Sequence, residues 1–152
     1  MTDDVTIKQA AAADATTLAA FNIALAWETE RKRLDVDIVA RGVEAVLTQP
    51  EHGFYVVALV EGEAAGSLLV TYEWSDWRCG RFWWVQSVYV RPEFRRRGLF
   101  TRLHAFVKDQ ASRAPEVCGL RLYVEDANAA AHQVYAAIGM QRTPYHIYEQ
   151  LL

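Results

Sequence analysis

Three consecutive arginines and a glycine, Arg95 to Gly98, are the residues whose types and spacing most directly indicate chemistry in this chain. Before them, Pro92 ends a β-branched run, because proline has no N–H to donate to a sheet. After them, apolar residues recur with helical period and predict a helix from Gly98, with an inward face of Leu99, Leu103, Phe106 and Val107. Guanidinium charge thus coincides with the N–H groups and positive dipole end of a helix. This combination predicts a site for a phosphorylated ligand.

Other interpretations of this loop have less support. No Gly-Lys-Ser/Thr follows it, as a Walker-type nucleotide site requires, and a single glycine does not make the dinucleotide fingerprint. Nucleic acid is disfavoured as a partner, because the 152-residue chain has a net charge of −3 and its basic residues do not continue into a stripe. A solvated charge run at a turn remains the open alternative.

A second motif occupies residues 128–140, and together the two motifs resemble the GNAT superfamily of N-acetyltransferases. Arg95 and Gly98 match the acetyl-CoA pyrophosphate loop of that family, Arg/Gln-x-x-Gly-x-Gly/Ala, whereas Phe100 stands where a small residue is usual. Met140 replaces the final Phe of the second pattern, Asn-x-x-Ala-x-x-x-Tyr-x-x-x-Gly-Phe, and the positions that match it are Asn128, Ala131, Tyr135 and Gly139.

The resemblance implies an α+β (three-layer α/β) fold of the GNAT-like acyl-CoA N-acyltransferase type. In that fold a mixed central sheet with splayed strands is flanked by helices, here as one domain over residues 1–152. It implies an acetyl-CoA-dependent N-acetyltransferase that moves an acetyl group directly to a primary amine of a small molecule or peptide, without a metal. The cofactor-binding residues that it implies are Val88, Tyr89, Val90, Arg95, Arg96, Arg97, Gly98, Leu99, Phe100, Thr101, Asn128 and Tyr135. Backbone groups from Ser87 onward on the central strand are expected to contact the pantetheine arm.

The elements that position these residues follow from hydrophobic periodicity and turn signals. Strands are predicted over residues 5–8, 54–60, 65–73, 81–90, 120–124 and 143–150, the last as a sheet edge. Asp14 is expected to cap a first helix and Asp35 or Asp37 a second one that ends before Pro50. Helices over 98–113 and 127–138 follow, and Gly139 suits the C-cap of the latter. On physical grounds alone, this order indicates an α+β protein with a mixed sheet.

The predicted strand over residues 81–90 is apolar on both faces, which is typical of a central strand. Strict alternation places Phe82, Trp84, Val88 and Val90 on one face. It places Trp83, Val85 and Tyr89 on the other.

Length and composition limit the class of protein. A chain of 152 residues is sufficient for one domain with a buried core. No apolar run reaches membrane-spanning length and the N-terminus does not resemble a signal peptide, so no membrane is expected. With only Cys79 and Cys118, no disulfide framework is expected, and a reduced, cytoplasmic protein is the simpler interpretation.

Tyr135 is the candidate general acid for the departing thiolate. It follows Asn128 by seven residues on the same helical face, with His132 between them. A phenol with a pKa near ~10 stays protonated at neutral pH and can donate its proton. The alternatives are that Tyr135 is a half-buried core residue and that Asn128 belongs only to the start of the helix.

The general base is less clearly indicated. Many members of the family carry a Glu on the central strand, but this chain has Gln86, which cannot accept a proton catalytically. Glu73 is preferred among the remaining candidates, Glu28, Glu30 and Glu73, because desolvation among aromatic residues would raise its pKa. Glu73 as an exposed strand-end carboxylate is the alternative.

An aromatic-rich hairpin, from Tyr72 to Trp84, has two interpretations. It is either a wall for an apolar or cationic amine, or core together with the surface of a homodimer. Three functions therefore remain open: an N-acetyltransferase, a catalytically weak acyl-CoA-binding sensor and, least favoured, a nucleic-acid contact at the arginine loop.

Overall fold

Residues 3–152 are described by a computed structural model, which contains five β-strands and four α-helices in this range. In chain order they are β1 (Val5–Gln9), α1 (Ala15–Glu30), α2 (Val36–Thr48), β2 (Phe54–Val60), β3 (Glu63–Ser75), β4 (Gly80–Val90), α3 (Leu99–Ser112), β5 (Val117–Arg121) and α4 (Ala129–Ala137). No helix within these residues is long and apolar enough to cross a membrane.

The strands form one mixed sheet in the order β1-β2-β3-β4-β5. All neighbours pair antiparallel except β4 and β5, which are parallel. Glu61 and Gly62 join β2 to β3 as a two-residue turn, and both have the positive φ angles, +49° and +79°, that such tight hairpins require. The expected mixed sheet with flanking helices is confirmed.

The core occupies both faces of this sheet. On one face, the fully buried α3 residues Leu103 and Val107 pack with a cluster that includes Val70 and Val85. On the other face, Leu18 of α1 and Val43 of α2 pack with Tyr55 and Val57 of β2. Burial of these apolar stripes, at about 25 cal/mol per Å² of apolar surface, is what holds the helices against the sheet.

The two predicted N-caps have different outcomes. The carboxylate of Asp35 accepts hydrogen bonds from the N–H groups of Asp37 and Ile38, at 2.9 and 3.0 Å, so Asp35 caps α2. Asp14 precedes α1 but does not cap it. Its carboxylate instead accepts from the N–H of Ala11 at 2.8 Å and closes a short 3₁₀ turn ahead of the helix.

A β-bulge at Ser87 changes the expected faces of β4. Ser87 has a φ of +51°, and the β3–β4 register shifts by one residue between the Leu69–Gln86 and Ser67–Tyr89 pairs. An extra residue inverts the alternation beyond it. Val88 therefore packs against the cluster of Trp83 and Val85, whereas Tyr89 contacts Phe21 of α1 on the other face. The predicted faces of Val88 and Tyr89 were both wrong.

The described chain divides into two compact units, one ending at Leu122 and the other running from Tyr123 to Leu152. A single domain over the whole chain stays a prediction. In the second unit, Gly139 has a φ of +94°. The N–H groups of Gly139 and Met140 donate to the carbonyls of Ala136 and Tyr135, which is a complete Schellman ending for α4.

The predicted edge strand over residues 143–150 was wrong, since residues 140–152 contain no helix or strand. The apolar alternation is present, but Tyr145, Ile147 and Tyr148 are 72%, 62% and 96% exposed. Alternation produces a strand only where a second strand supplies the ladder, and Pro144 removes one donor from this segment. β5 also begins earlier than predicted, at Val117 rather than Leu120.

Candidate functional site

The pairing of β4 with β5 stops while β4 continues. Trp84 and Arg121 form the last paired rung, and β4 then runs from residue 85 to Val90 with β3 as its strand partner within the unit that ends at Leu122. Backbone N–H and C=O groups project to both sides of a strand, so this part of β4 presents hydrogen-bonding groups where β5 no longer follows it. An extended ligand that contains amide groups can bond to such an edge.

The guanidinium of Arg95 ties the end of β4 to α1. Its Nε donates to the carbonyl oxygen of Val90 at 2.8 Å, and one Nη donates to Glu28 Oε2 at 2.7 Å. Arg95 also lies 5.8 Å from the centre of the Tyr89 ring, which contacts Phe21 of α1 at 5.1 Å between centroids. The Arg95 side chain therefore supports the loop, and Glu28 is held in an ion pair.

The loop between β4 and α3 has two left-handed residues, Arg96 with a φ of +64° and Gly98 with a φ of +73°. Gly98 is the N-cap of α3 and has no side chain to accept a hydrogen bond. The first bond along the helix runs from the N–H of Arg102 to the Gly98 carbonyl at 3.1 Å. The N–H groups ahead of Arg102 in this turn have no helical carbonyl to bond to, and they suit an anion.

The three arginines of the loop differ in their partners. Arg97 donates to Asp3 at 2.9 Å, and Arg95 is bonded as described above. Arg96 is exposed and has no hydrogen bond or ion pair within residues 3–152. Arg96 is thus the loop guanidinium that a phosphate can engage without displacing a protein carboxylate.

The first residues of α3 face the core with their side chains. Leu99 is buried beside Ala65, and Phe100 packs on the α3-side core with its ring 6.2 Å from that of His104. Thr101 is exposed. A ligand would therefore meet Leu99 and Phe100 chiefly through their backbone. A Cβ on Gly98 would meet no atom within 4 Å, so its positive φ is the feature that favours glycine there.

Glu73, the preferred base, is held by two donors. Its Oε1 accepts from the indole N–H of Trp84 at 2.9 Å and from Nη1 of Arg121 at 2.8 Å. The Trp84 hydrogen bond is the largest influence on this carboxylate, and together with Arg121 it outweighs desolvation and lowers the pKa of Glu73. The expectation that aromatic neighbours raise this pKa was therefore wrong, and the role of Glu73 as base stays a prediction.

The other candidates for proton transfer have defined environments. Gln86 donates from Nε2 to the hydroxyl of Thr71 at 2.5 Å, and Glu30 is exposed at the end of α1. In the second unit, burial raises the pKa of Tyr135, which keeps the phenol neutral at physiological pH. Asn128 accepts from the N–H of Ala131 at 3.1 Å and caps α4. Catalytic or binding roles for Tyr135 and Asn128 stay predictions.

The aromatic hairpin is divided between core and solvent. Trp83 is buried, whereas Trp74 and Trp77 are 60% and 86% exposed. The ring faces that a cationic amine would need are occupied by arginines of this chain. Arg81 lies 5.2 Å from the centre of Tyr72, and Arg121 lies 3.6 Å from the centre of Phe82. This arrangement disfavours the cationic-amine interpretation at these two rings.

Sequence reasoning missed Arg121. Leu120 and Leu122 pack with the α3-side cluster, so the intervening Arg121 faces the opposite side of the sheet, next to Phe82 and Glu73. A single cation inside an otherwise apolar strand was the available signal, because a charge placed there needs a partner.

Residues 17–140 match the profile of the Acetyltransferase (GNAT) family. A solved structure described as a possible acetyltransferase from Clostridium difficile 630 is 40% identical to this chain, with a TM-score of 0.90 and coverage of 97% of each chain. A search of proteins of curated function gave no match.

Two other solved structures share the fold at low identity. The aminoglycoside N-acetyltransferase AAC(6')-Iy in complex with CoA is 18% identical, with a TM-score of 0.79, covering 99% of this chain and 97% of that one. A ribosomal-protein-alanine N-acetyltransferase from Brucella melitensis biovar Abortus 2308 is also 18% identical, with a TM-score of 0.78, covering 98% and 99%.

Proposed function

This chain belongs to the GNAT family of acetyltransferases, and we propose that it transfers the acetyl group of acetyl-CoA directly to a primary amine of a small molecule or peptide. The observation that carries this proposal is the extension of β4 beyond β5 toward the loop of residues 95–98 and the N-terminus of α3. The amide-containing pantetheine arm of CoA would bond to the open part of β4. The pyrophosphate of the same molecule would then lie at the loop and the N-terminus of α3.

The residues of the loop fit a pyrophosphate. The left-handed conformations of Arg96 and Gly98 precede a helix terminus that lacks a side-chain cap, and Arg96 adds an uncompensated positive charge. Backbone groups of Val88 to Val90 would hold the pantetheine arm. The Val90 carbonyl already accepts from Arg95, so ligand contacts at Val90 are expected chiefly through its N–H.

Acetyl-CoA supplies a thioester whose carbonyl carbon the amine attacks, so that a C–N bond forms and the C–S bond breaks. The N–H groups near the Ser87 bulge would polarise the carbonyl oxygen. Tyr135 would protonate the thiolate, since its raised pKa keeps the hydroxyl proton in place until the thiolate forms. The proton lost by the amine would pass to Glu73 or to water, because Gln86 cannot accept it.

A second candidate function, an acyl-CoA-binding sensor with weak catalysis, is favoured by two observations. Gln86 occupies the central-strand position and donates to Thr71, and Glu73 is paired with Arg121 instead of standing free to accept a proton. A sensor would bind the cofactor without turnover.

Two measurements test the proposal. Acetyl-CoA is expected to raise the melting temperature, because ligand at ~100-fold above its dissociation constant adds about 2.7 kcal/mol to stability. Thiol release from acetyl-CoA with a panel of primary amines then separates the enzyme from the sensor. Unchanged melting at millimolar acetyl-CoA would refute both functions, whereas a melting shift without thiol release would favour the sensor.

A further inference from the structure

Arg121 lies on the last rung at which β4 and β5 are paired, opposite Trp84. Building on the proposed acetyl transfer, we propose that Arg121 binds a carboxylate of the acceptor, so that the acceptor is a small amino acid rather than a simple amine or a polyamine. The proposal concerns the side of the sheet that carries Phe82, Trp84 and Glu73.

The guanidinium of Arg121 is fixed, yet most of its donors are unused. One ring face of Phe82 lies against it, 3.6 Å from its Cζ, and Nη1 donates to Glu73 at 2.8 Å. This is its only hydrogen bond within residues 3–152, although a guanidinium has five N–H groups. Its side chain is 27% exposed, so a ligand can reach it. A planar guanidinium held on a ring is suited to bidentate recognition of a carboxylate.

The local charge also favours an anion. Arg78 lies 5.0 Å from the centre of the Phe82 ring and acts electrostatically on Glu73 together with Arg121. Two guanidinium groups, of which only Arg121 is bonded to the Glu73 carboxylate, therefore lie around this ring, and these three groups together carry a net positive charge. An acceptor whose only ionised groups are ammonium groups would meet repulsion here, whereas a carboxylate would complete the pairing.

The position of Arg121 limits the length of the acceptor. Beyond the Trp84–Arg121 rung, β4 continues without β5, and Gln86 follows two residues later on the face that carries Trp84. Two strand residues correspond to about 7 Å. A carboxylate on Arg121 would thus leave an amine a few bonds away near the open part of β4, which fits α-, β- and γ-amino acids.

The test compares free amino acids with their own carboxamides as acceptors, so that each pair differs only in the negative charge. Glycine, β-alanine and γ-aminobutyrate, each with its amide, are assayed by thiol release with wild-type protein and with Arg121→Gln and Arg121→Lys. We expect the acid of at least one pair to exceed its amide by about tenfold or more in kcat/KM. Arg121→Gln should remove that preference, lowering kcat/KM about 10- to 100-fold more for the acid than for the amide. Arg121→Lys should restore part of it.

Arg113→Gln is the matched control, since Arg113 forms an exposed i,i+4 pair with Asp109 on α3 and should leave both substrates unchanged. Three outcomes would overturn the proposal. They are an equal kcat/KM for acid and amide in the wild type, an equal loss of kcat/KM for both in Arg121→Gln, and no turnover of any acid. The melting shift with acetyl-CoA, measured on the same preparations, reports separately on the proposed function. Melting of Arg121→Lys without ligand shows whether the fold is intact.

Discussion

Replacing Arg96 by alanine is expected to weaken CoA binding more than the same change at Arg97. Arg96 has a left-handed backbone and no ionic partner within residues 3–152, whereas Arg97 already donates to Asp3 at 2.9 Å. An arginine that must break an ion pair with a carboxylate before it can bind a phosphate contributes less to the free energy of CoA binding. The two neighbours therefore provide a pair of adjacent arginines that differ in their starting ionic partners.

The expected loss follows from the value of a charged hydrogen bond. Such a bond contributes about 1.5–3 kcal/mol, which corresponds to about 10- to 150-fold in Kd. At a CoA concentration ~100-fold above the wild-type Kd, binding stabilises the wild type by about 2.7 kcal/mol and the Arg96→Ala variant by about 0.3–1.4 kcal/mol. The ligand-induced rise in melting temperature should fall to about half or less.

Melting curves with and without CoA, for wild type, Arg96→Ala, Arg97→Ala and Arg113→Ala, provide the assay. Arg113 controls for the loss of one positive charge at a distant exposed site. Breaking the surface pair of Arg97 should itself change stability by less than about 1 kcal/mol. A full CoA shift in Arg96→Ala, combined with a lost shift in Arg97→Ala, would show that the assignment by ionic partners is wrong.

Four further predictions concern substitutions at individual positions. Tyr135→Phe should lower turnover by roughly 10²–10⁴ with an unchanged CoA melting shift if its hydroxyl is the acid, and full activity would reject that role. Glu73→Gln should lower the limiting rate and remove the acidic limb of the pH–rate profile if Glu73 is the base, and an unaltered profile would reject it. Because the Trp84 and Arg121 hydrogen bonds lower the pKa of folded Glu73, its contribution to stability is present above the ordinary value of 4.5 and is lost as pH falls through the lowered pKa. Urea midpoints near pH 7 and pH 3 should thus differ less in Glu73→Gln than in wild type. Gly98→Ala should destabilise the protein by about 1–2 kcal/mol because of its positive φ, whereas Gly42→Ala inside α2 should stabilise it by about 0.5–1 kcal/mol, and equal melting of the two would contradict this.

Features of the fold that depend on neighbours in the sequence could be predicted. The turn at Glu61 and Gly62, the cap at Asp35 and the C-terminal glycine of α4 each arise from a side chain or backbone angle within a few residues of the feature. The helix after Gly98 was predicted for the same reason, since its apolar face repeats every three to four residues. In these places the local sequence and the tertiary fold favour the same conformation.

The bulge at Ser87 could not be predicted, because nothing in the local sequence distinguishes a bulged strand from a regular one. Trp83, Val85, Val88 and Tyr89 are apolar on either side of it, so the pattern is compatible with either register. Serine also has no special preference for a φ of +51°, unlike glycine or asparagine. The inversion of the side chains beyond the bulge is fixed by pairing with β3 and by packing on α3, which are both distant in sequence.

The lowered pKa of Glu73 shows why the candidate base was the weakest part of the sequence reasoning. An aromatic neighbourhood was taken as an apolar one, which would raise a carboxylate pKa. The indole N–H of Trp84 instead donates to the carboxylate. Arg121, which is 48 residues from Glu73 in the sequence, donates to it as well. An aromatic residue with a donor can therefore have the opposite effect to a phenylalanine at the same distance. The hydrogen bond from Arg121 that contributes to this lowered pKa also holds Arg121 in place on Phe82.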